Sequence, residues 1–146
     1  MSQLQNGGYL IHNIKLLNGR LYNKLLAQEK DILFTAEQNK LLAVLYEKGD
    51  QTGTDLALAT GLATNTASIM LKKLESLGLV DCRAHAQDQR KKVFFLTDLG
   101  RQQEEIALHI SEELDQVFYQ GFFPAEIKEF EAYLQRIQHN LAQKDY

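Results

Sequence analysis

The residues of this chain whose types and spacing could do chemistry are suited to meeting a polyanion. Between positions 64 and 77, Ala67, Met70, Leu71, Leu74 and Leu77 fall on one side of a helix that turns by about 100° per residue. The other side carries Asn65, Ser68, Ile69, Lys72 and Ser76, with Thr64 and Thr66 at the exposed start. These side chains are short and either uncharged or basic, so they can enter a major groove without an anionic clash. Asn pairs bidentately with adenine, Ser and Thr donate or accept, and Ile69 suits a thymine methyl. Lys72 is better placed for phosphate. An ordinary solvated helix face would use many of the same residues, although Ile69 fits it less well.

A second group follows in the run Gln87-Asp88-Gln89-Arg90-Lys91-Lys92, which is polar, basic and without an apolar anchor. An Arg at the tip of a thin hairpin can enter the narrow minor groove, where the negative potential is deepest. Arg90 is the candidate. Asp88 is unfavourable near DNA unless it is paired, and it is expected to hold Arg83 or Arg90 in place. A flexible surface loop is the plain alternative. The net charge of the whole chain is −3, which points away from nucleic acid, but the charge is segregated. Across positions 62–97, Lys72, Lys73, Arg83, Arg90, Lys91 and Lys92 face only Glu75, Asp81 and Asp88, a balance of +3. The segment before is neutral and the segment after is acidic, which leaves a local surface for phosphate.

Other chemistries find no support. There is no His-Glu-x-x-His, no phosphate-binding glycine loop, no dinucleotide fingerprint and no nucleophile elbow, so no enzyme activity is expected. No cofactor is expected. His109 and Glu113 are four apart and could share a metal on one helix face, but no second His lies within a turn of His109, and no metal is assigned. One cysteine, Cys82, can form neither an internal disulfide nor a cysteine-rich zinc site. No membrane span and no secretory signal are visible in the sequence, so a cytoplasmic location is expected. With 146 residues, 45% hydrophobic and 24% charged, the composition is that of one ordinary folded domain with helical extensions.

The elements that must position these residues read as follows. Leu10, Ile14, Leu17, Leu21 and Leu25 recur at helical spacing and predict a long helix over 9–28. Thr35 and Gln38 form a capping box for a second helix, whose stripe is Leu41, Leu42, Val44 and Leu45 and whose stop is Gly49. Thr52 and Asp55 open a short helix stopped by Gly61, and the helix over 64–77 follows, so the pair reads as a helix-turn-helix. Positions 79–83 and 92–96 read as two strands, with a projecting loop between them that makes a wing. Thr97 or Asp98 caps a helix running to about Gln120. Pro124 opens a final helix on which Ile127, Phe130, Leu134, Ile137 and Leu141 repeat as a heptad. The expected fold class is mainly α with a small β-hairpin wing: a winged helix-turn-helix with long N- and C-terminal dimerisation helices.

The run Leu56-Ala57, Gly61-Leu62, Thr66, Met70-Leu71, Leu74-Glu75, Gly78-Leu79-Val80, Arg83, Asp88-Gln89-Arg90, Leu96-Thr97 and Gly100 resembles the MarR (multiple antibiotic resistance regulator) family over about residues 35–102. The Arg…Asp-x-Arg…Leu-Thr-x-x-Gly pattern carries most of the likeness. The resemblance implies a dimeric bacterial winged-helix transcription regulator, commonly a repressor, with terminal helices for the dimer and DNA binding weakened by a small ligand. It carries Thr64, Asn65, Thr66, Ser68 and Lys72 onto the recognition helix and Arg83, Asp88 and Arg90 onto the wing; the helix face and loop read above add Ile69, Gln87 and Lys91 to the expected DNA contacts. Ala63 stands where the family often has a polar cap, and Thr64 is expected to take over that role. Oxidant-sensing members carry a reactive cysteine in the first helix, and this chain has none there.

The implied division is an N-terminal dimerisation helix over 1–34, a DNA-binding domain over 35–97 and dimerisation helices over 98–146. The expected partners are a pseudo-palindromic double-stranded operator, a second copy of the chain and a small-molecule effector, with no membrane. Tyr9, His12, Leu16, Tyr46 and Phe118 are candidates to line an effector pocket, and equally the types any apolar core uses. Two alternatives stay open: a metal-responsive regulator of the same fold, and a winged-helix module that binds protein without binding DNA.

Overall fold

Three threonines set the starts of three helices. Each accepts a hydrogen bond from the backbone N–H three residues on: Thr35 from Gln38, Thr52 from Asp55 and Thr97 from Gly100. At Thr35 the Gln38 side chain returns the bond, so the capping box is complete. The computed structural model describes residues 4–144. In chain order these form α1 (Gly7–Gln28), α2 (Ala36–Lys48), β1 (Gln51–Thr52), α3 (Gly53–Thr60), α4 (Thr64–Ser76), β2 (Val80–Ala84), β3 (Lys92–Leu96), α5 (Asp98–Phe118) and α6 (Pro124–Ala142). The fold is the expected winged helix. Its sheet is not a bare hairpin, however: β1 adds a third strand and gives the antiparallel order β1-β3-β2. A two-residue strand carries no alternation, and the sequence reading missed it.

The core lies beneath this sheet. Leu41, Leu42, Leu56, Leu71, Leu74 and Leu79 are almost wholly excluded from solvent, and Val80, Phe94 and Leu96 close the sheet side. Leu26 of α1 and Ile110 of α5 belong to the same cluster. Gln103 is the one buried polar residue among those described. It accepts from the Leu33 N–H and donates to the Asp31 carbonyl, so it ties α5 to the segment before α2. Its polar atoms are satisfied, which is what burial of an amide requires.

Two glycines are required by geometry. Gly61 ends α3 in the left-handed region, φ 73°, and turns the chain into α4. Gly100 sits in the first turn of α5, where a Cβ would collide with the Leu79 carbonyl oxygen. The hydroxyl of Thr97 donates to the Gly78 carbonyl at 2.5 Å beside this contact. Together they fix the departure of α5 from the sheet.

The outer helices are different. On α1, Leu10, Ile14 and Leu17 are exposed, while Leu21 and Leu25 are half-buried. No residue of α6 is buried, and Ile137 and Leu141 stand open. Tyr119, at the end of α5, donates to the Glu131 carboxylate of α6 at 2.6 Å. That bond pushes the phenol up to about 12. Among the described residues, no helix is long and apolar enough to cross a membrane.

Candidate nucleic-acid interface

α4 is held by Ala67, Leu71 and Leu74, which are buried against the core. Met70 and Leu77 flank them and are half-buried. This fixes which side faces outward. Thr64, Asn65, Thr66, Ser68, Ile69 and Lys72 are all exposed, and Ile69 is 70% accessible despite its apolar side chain. The start of α4 departs from expectation. Its N-cap is Ala63, and no side-chain hydrogen bond closes the helix end. Thr64 therefore does not serve as the cap, because it already lies inside the helix, and its hydroxyl stays available at the exposed end. The uncapped N–H groups there also favour an anion.

The wing tip is a built structure. The His85 N–H donates to the Lys91 carbonyl at 2.9 Å, and the Lys91 N–H donates to the Asp88 carbonyl at 3.0 Å. Asp88 Oδ1 accepts from both the backbone N–H and the Nε of Arg90, at 3.1 and 3.2 Å. Those two bonds from Arg90 hold the Asp88 carboxyl below the usual carboxylate range. Of the two partners expected for Asp88, the geometry selects Arg90. The Arg90 side chain is still 91% exposed, so the clasp orients the guanidinium without covering it. Gln87 and Lys91 are exposed beside it.

Arg83 takes a different partner. Its Nη1 lies 3.0 Å from Oδ2 of Asp50, in the turn between α2 and β1. Its guanidinium also lies over the Phe95 ring, 5.5 Å from the centroid. No local signal marks this pairing, since the two residues meet only through the sheet.

The remaining candidates sort as follows. His109 Nε2 and Glu113 Oε1 are 2.5 Å apart, as their spacing suggests. Glu29, the C-cap of α1, brings a third ligand atom, and all three lie within 4.8 Å of one another. Sequence spacing could not show Glu29, which arrives from another helix. Cys82 faces Glu75, its sulfur 3.9 Å from the carboxylate. Burial and then the Glu75 charge push this thiol up, which argues against a reactive thiolate. The residues grouped as a possible effector pocket do not converge. Phe118 lines an apolar cleft of about 370 Å³ with Ile14, Leu17, Leu114 and Phe130. Tyr46 lines a separate groove of about 240 Å³ between α2 and α5, with Glu47 and Glu104. Tyr9, His12 and Leu16 line neither of these two.

A helix-turn-helix with an outward recognition face, followed by a cationic wing, defines a winged-helix regulator fold. The sequence profile of the MarR family matches residues 34–92, the segment that holds this site. Solved structures extend the likeness over nearly the whole chain. A cysteine-to-serine mutant of MarR from E. coli, in complex with operator DNA, is 26% identical with a TM-score of 0.78, covering 93% of this chain and 99% of that one. BpsR of Bordetella bronchiseptica, whose DNA binding is regulated by 6-hydroxynicotinic acid, is 22% identical with a TM-score of 0.79, covering 92% and 99%. PcaV of Streptomyces coelicolor, a transcriptional regulator in complex with its natural ligand, is 21% identical with a TM-score of 0.78, covering 95% and 98%. No curated protein sequence matches. Over residues 34–92 the chain is similar to the MarR family, and its fold follows MarR-type regulators along nearly its whole length.

Proposed function

We propose that the chain is a sequence-specific DNA-binding transcription regulator, a cytoplasmic homodimer that represses its target until a small ligand releases it. The observation that carries this reading is the pairing of the exposed α4 face with the clasped Arg90 on the neighbouring wing. In it, Asn65, Ser68 and Ile69 read base edges in the major groove, Thr64 and Thr66 sit at the helix start, and Lys72 meets phosphate. Gln87, Arg90 and Lys91 approach the minor groove, with Asp88 orienting Arg90. Residues 35–97 form the DNA-binding part. The helices in 1–34 and 98–146 join two copies, so that two recognition helices reach successive major grooves of a pseudo-palindromic operator about one helical turn apart. The apolar residues left open on α1 and α6 support this assembly. The test is gel retardation of the chain's own upstream DNA at two salt concentrations. Retardation at low salt that fades steeply at high salt supports the reading. Failure to retard any duplex at low salt overturns it and favours a protein-interaction module.

One observation favours a second reading, in which a divalent metal is the trigger. Glu29 joins His109 and Glu113 to make three ligands of mixed nitrogen and oxygen type. Adding and then chelating zinc in the same assay decides it. A reversible change in retardation supports metal control, and an unchanged pattern removes it.

A further inference from the structure

The outer face of the wing sheet holds a contact that the DNA-binding reading leaves unexplained. In the register, Arg83 of β2 stands opposite Val93 of β3, and Val93 stands opposite Thr52 of β1. Strand residues alternate between faces. Val80, Phe94 and Leu96 point into the core, so Arg83 and Phe95 lie on the opposite face. Asp50 sits just before β1. From β2, the Arg83 side chain crosses over the Phe95 ring and ends on the Asp50 carboxylate at 3.0 Å. It thus spans all three strands. β1 is only two residues long, so its own ladder holds the edge of the sheet weakly.

We propose that Arg83 and Asp50 form a strap that positions the wing, and that Arg83 acts through the sheet instead of as a phosphate contact. This deepens the DNA-binding reading and rests on it for its effect on affinity. Arg90 at the tip and Arg83 at the base then have separate tasks. The tip guanidinium is oriented by a neighbour within its own loop. The base guanidinium fastens the first wing strand to the turn after α2. An Arg suits this work because its planar cation can stack on an aromatic ring while its fork meets a carboxylate.

The alternative is that Asp50 merely occupies a guanidinium that DNA phosphate would later claim. The two differ in sign. The experiment measures affinity for one fixed duplex across a salt series with Asp50→Asn, Arg83→Gln, their combination, and the exchanged pair Asp50→Arg with Arg83→Asp. The strap predicts that each single variant weakens binding about two- to fivefold, the range of an exposed ion pair. It predicts that the combination is no worse than either single variant, that the salt slope is unchanged, and that the exchanged pair recovers most of the loss. Tighter binding by Asp50→Asn, or a salt slope reduced by about one in Arg83→Gln, overturns it. Amide hydrogen exchange at His85 and Lys91 gives a readout without DNA. Faster exchange there in Asp50→Asn, with the α4 amides unchanged, supports the strap, and unchanged exchange at the wing overturns it. If the unmutated protein ignores DNA, the regulator reading falls while the exchange result still decides the strap.

Discussion

The winged-helix lobe and the helical arms of this chain are built on opposite terms. In the lobe, Leu41, Leu42, Leu56, Leu71 and Leu74 are sealed from water by their own chain. On the arms, Leu10, Leu17, Val117, Phe123 and Leu141 are more than half exposed. The same residue types are used in both places, so composition does not separate them. What separates them is the depth of cover. α2, α3 and α4 are covered by the sheet and by parts of α1 and α5, whereas α6 meets the end of α5 through Phe130 and Glu131 but no residue along it is buried. A region that completes its own core can serve as a rigid reading head. A region that leaves apolar stripes open is suited to hold two heads at a fixed spacing.

Four experiments break or sharpen this contrast, in order of expected effect. Leu74 is fully buried, so Leu74→Ala should cost about 2–5 kcal/mol of stability. Chemical denaturation with the arms intact measures it, and a cost near zero would mean the lobe core is not what holds α4. Leu17→Glu places a charge on an open stripe of α1. Sedimentation should then report single chains, and operator affinity should fall on the order of 100-fold because the second half-site is no longer tethered. A variant that sediments as before would take α1 out of the interface. Arg90→Ala should cost about 1–3 kcal/mol of DNA affinity with the fold unchanged. An unchanged gel-shift titration would remove the wing tip from the reading surface. Cys82 should show the smallest effect. Its thiol is held above the ordinary range by burial and by Glu75, so labelling near neutral pH should be slower than for a free thiol. Cys82→Ser should leave DNA binding and its response to peroxide unchanged, and altered binding on oxidation would give this cysteine a sensing role.

Local signals in the sequence located most elements because their causes are local. Thr35 with Gln38, Thr52 with Asp55 and Thr97 with Gly100 are contacts within four residues, and each marks a helix start in the structure. The core face of α4 followed from helical periodicity for the same reason. The features that escaped depend on groups far apart in the chain. β1 exists because Gln51 and Thr52 pair with Phe94 and Val93. Arg83 meets Asp50 only once β3 lies between them. Glu29 approaches His109 only through the packing of α1 beside α5. The cap expected of Thr64 failed for a finer reason, since the helix begins one residue earlier relative to the turn than a side-chain cap needs. The wing clasp was legible as a choice between two arginines, and geometry made the choice.

Sedimentation of the purified chain with a duplex recovered by selection from random sequence tests the whole account at once. The expected species holds two chains on each duplex at low ionic strength and separates as salt is raised. A lone chain that travels apart from the duplex under the same conditions would contradict it.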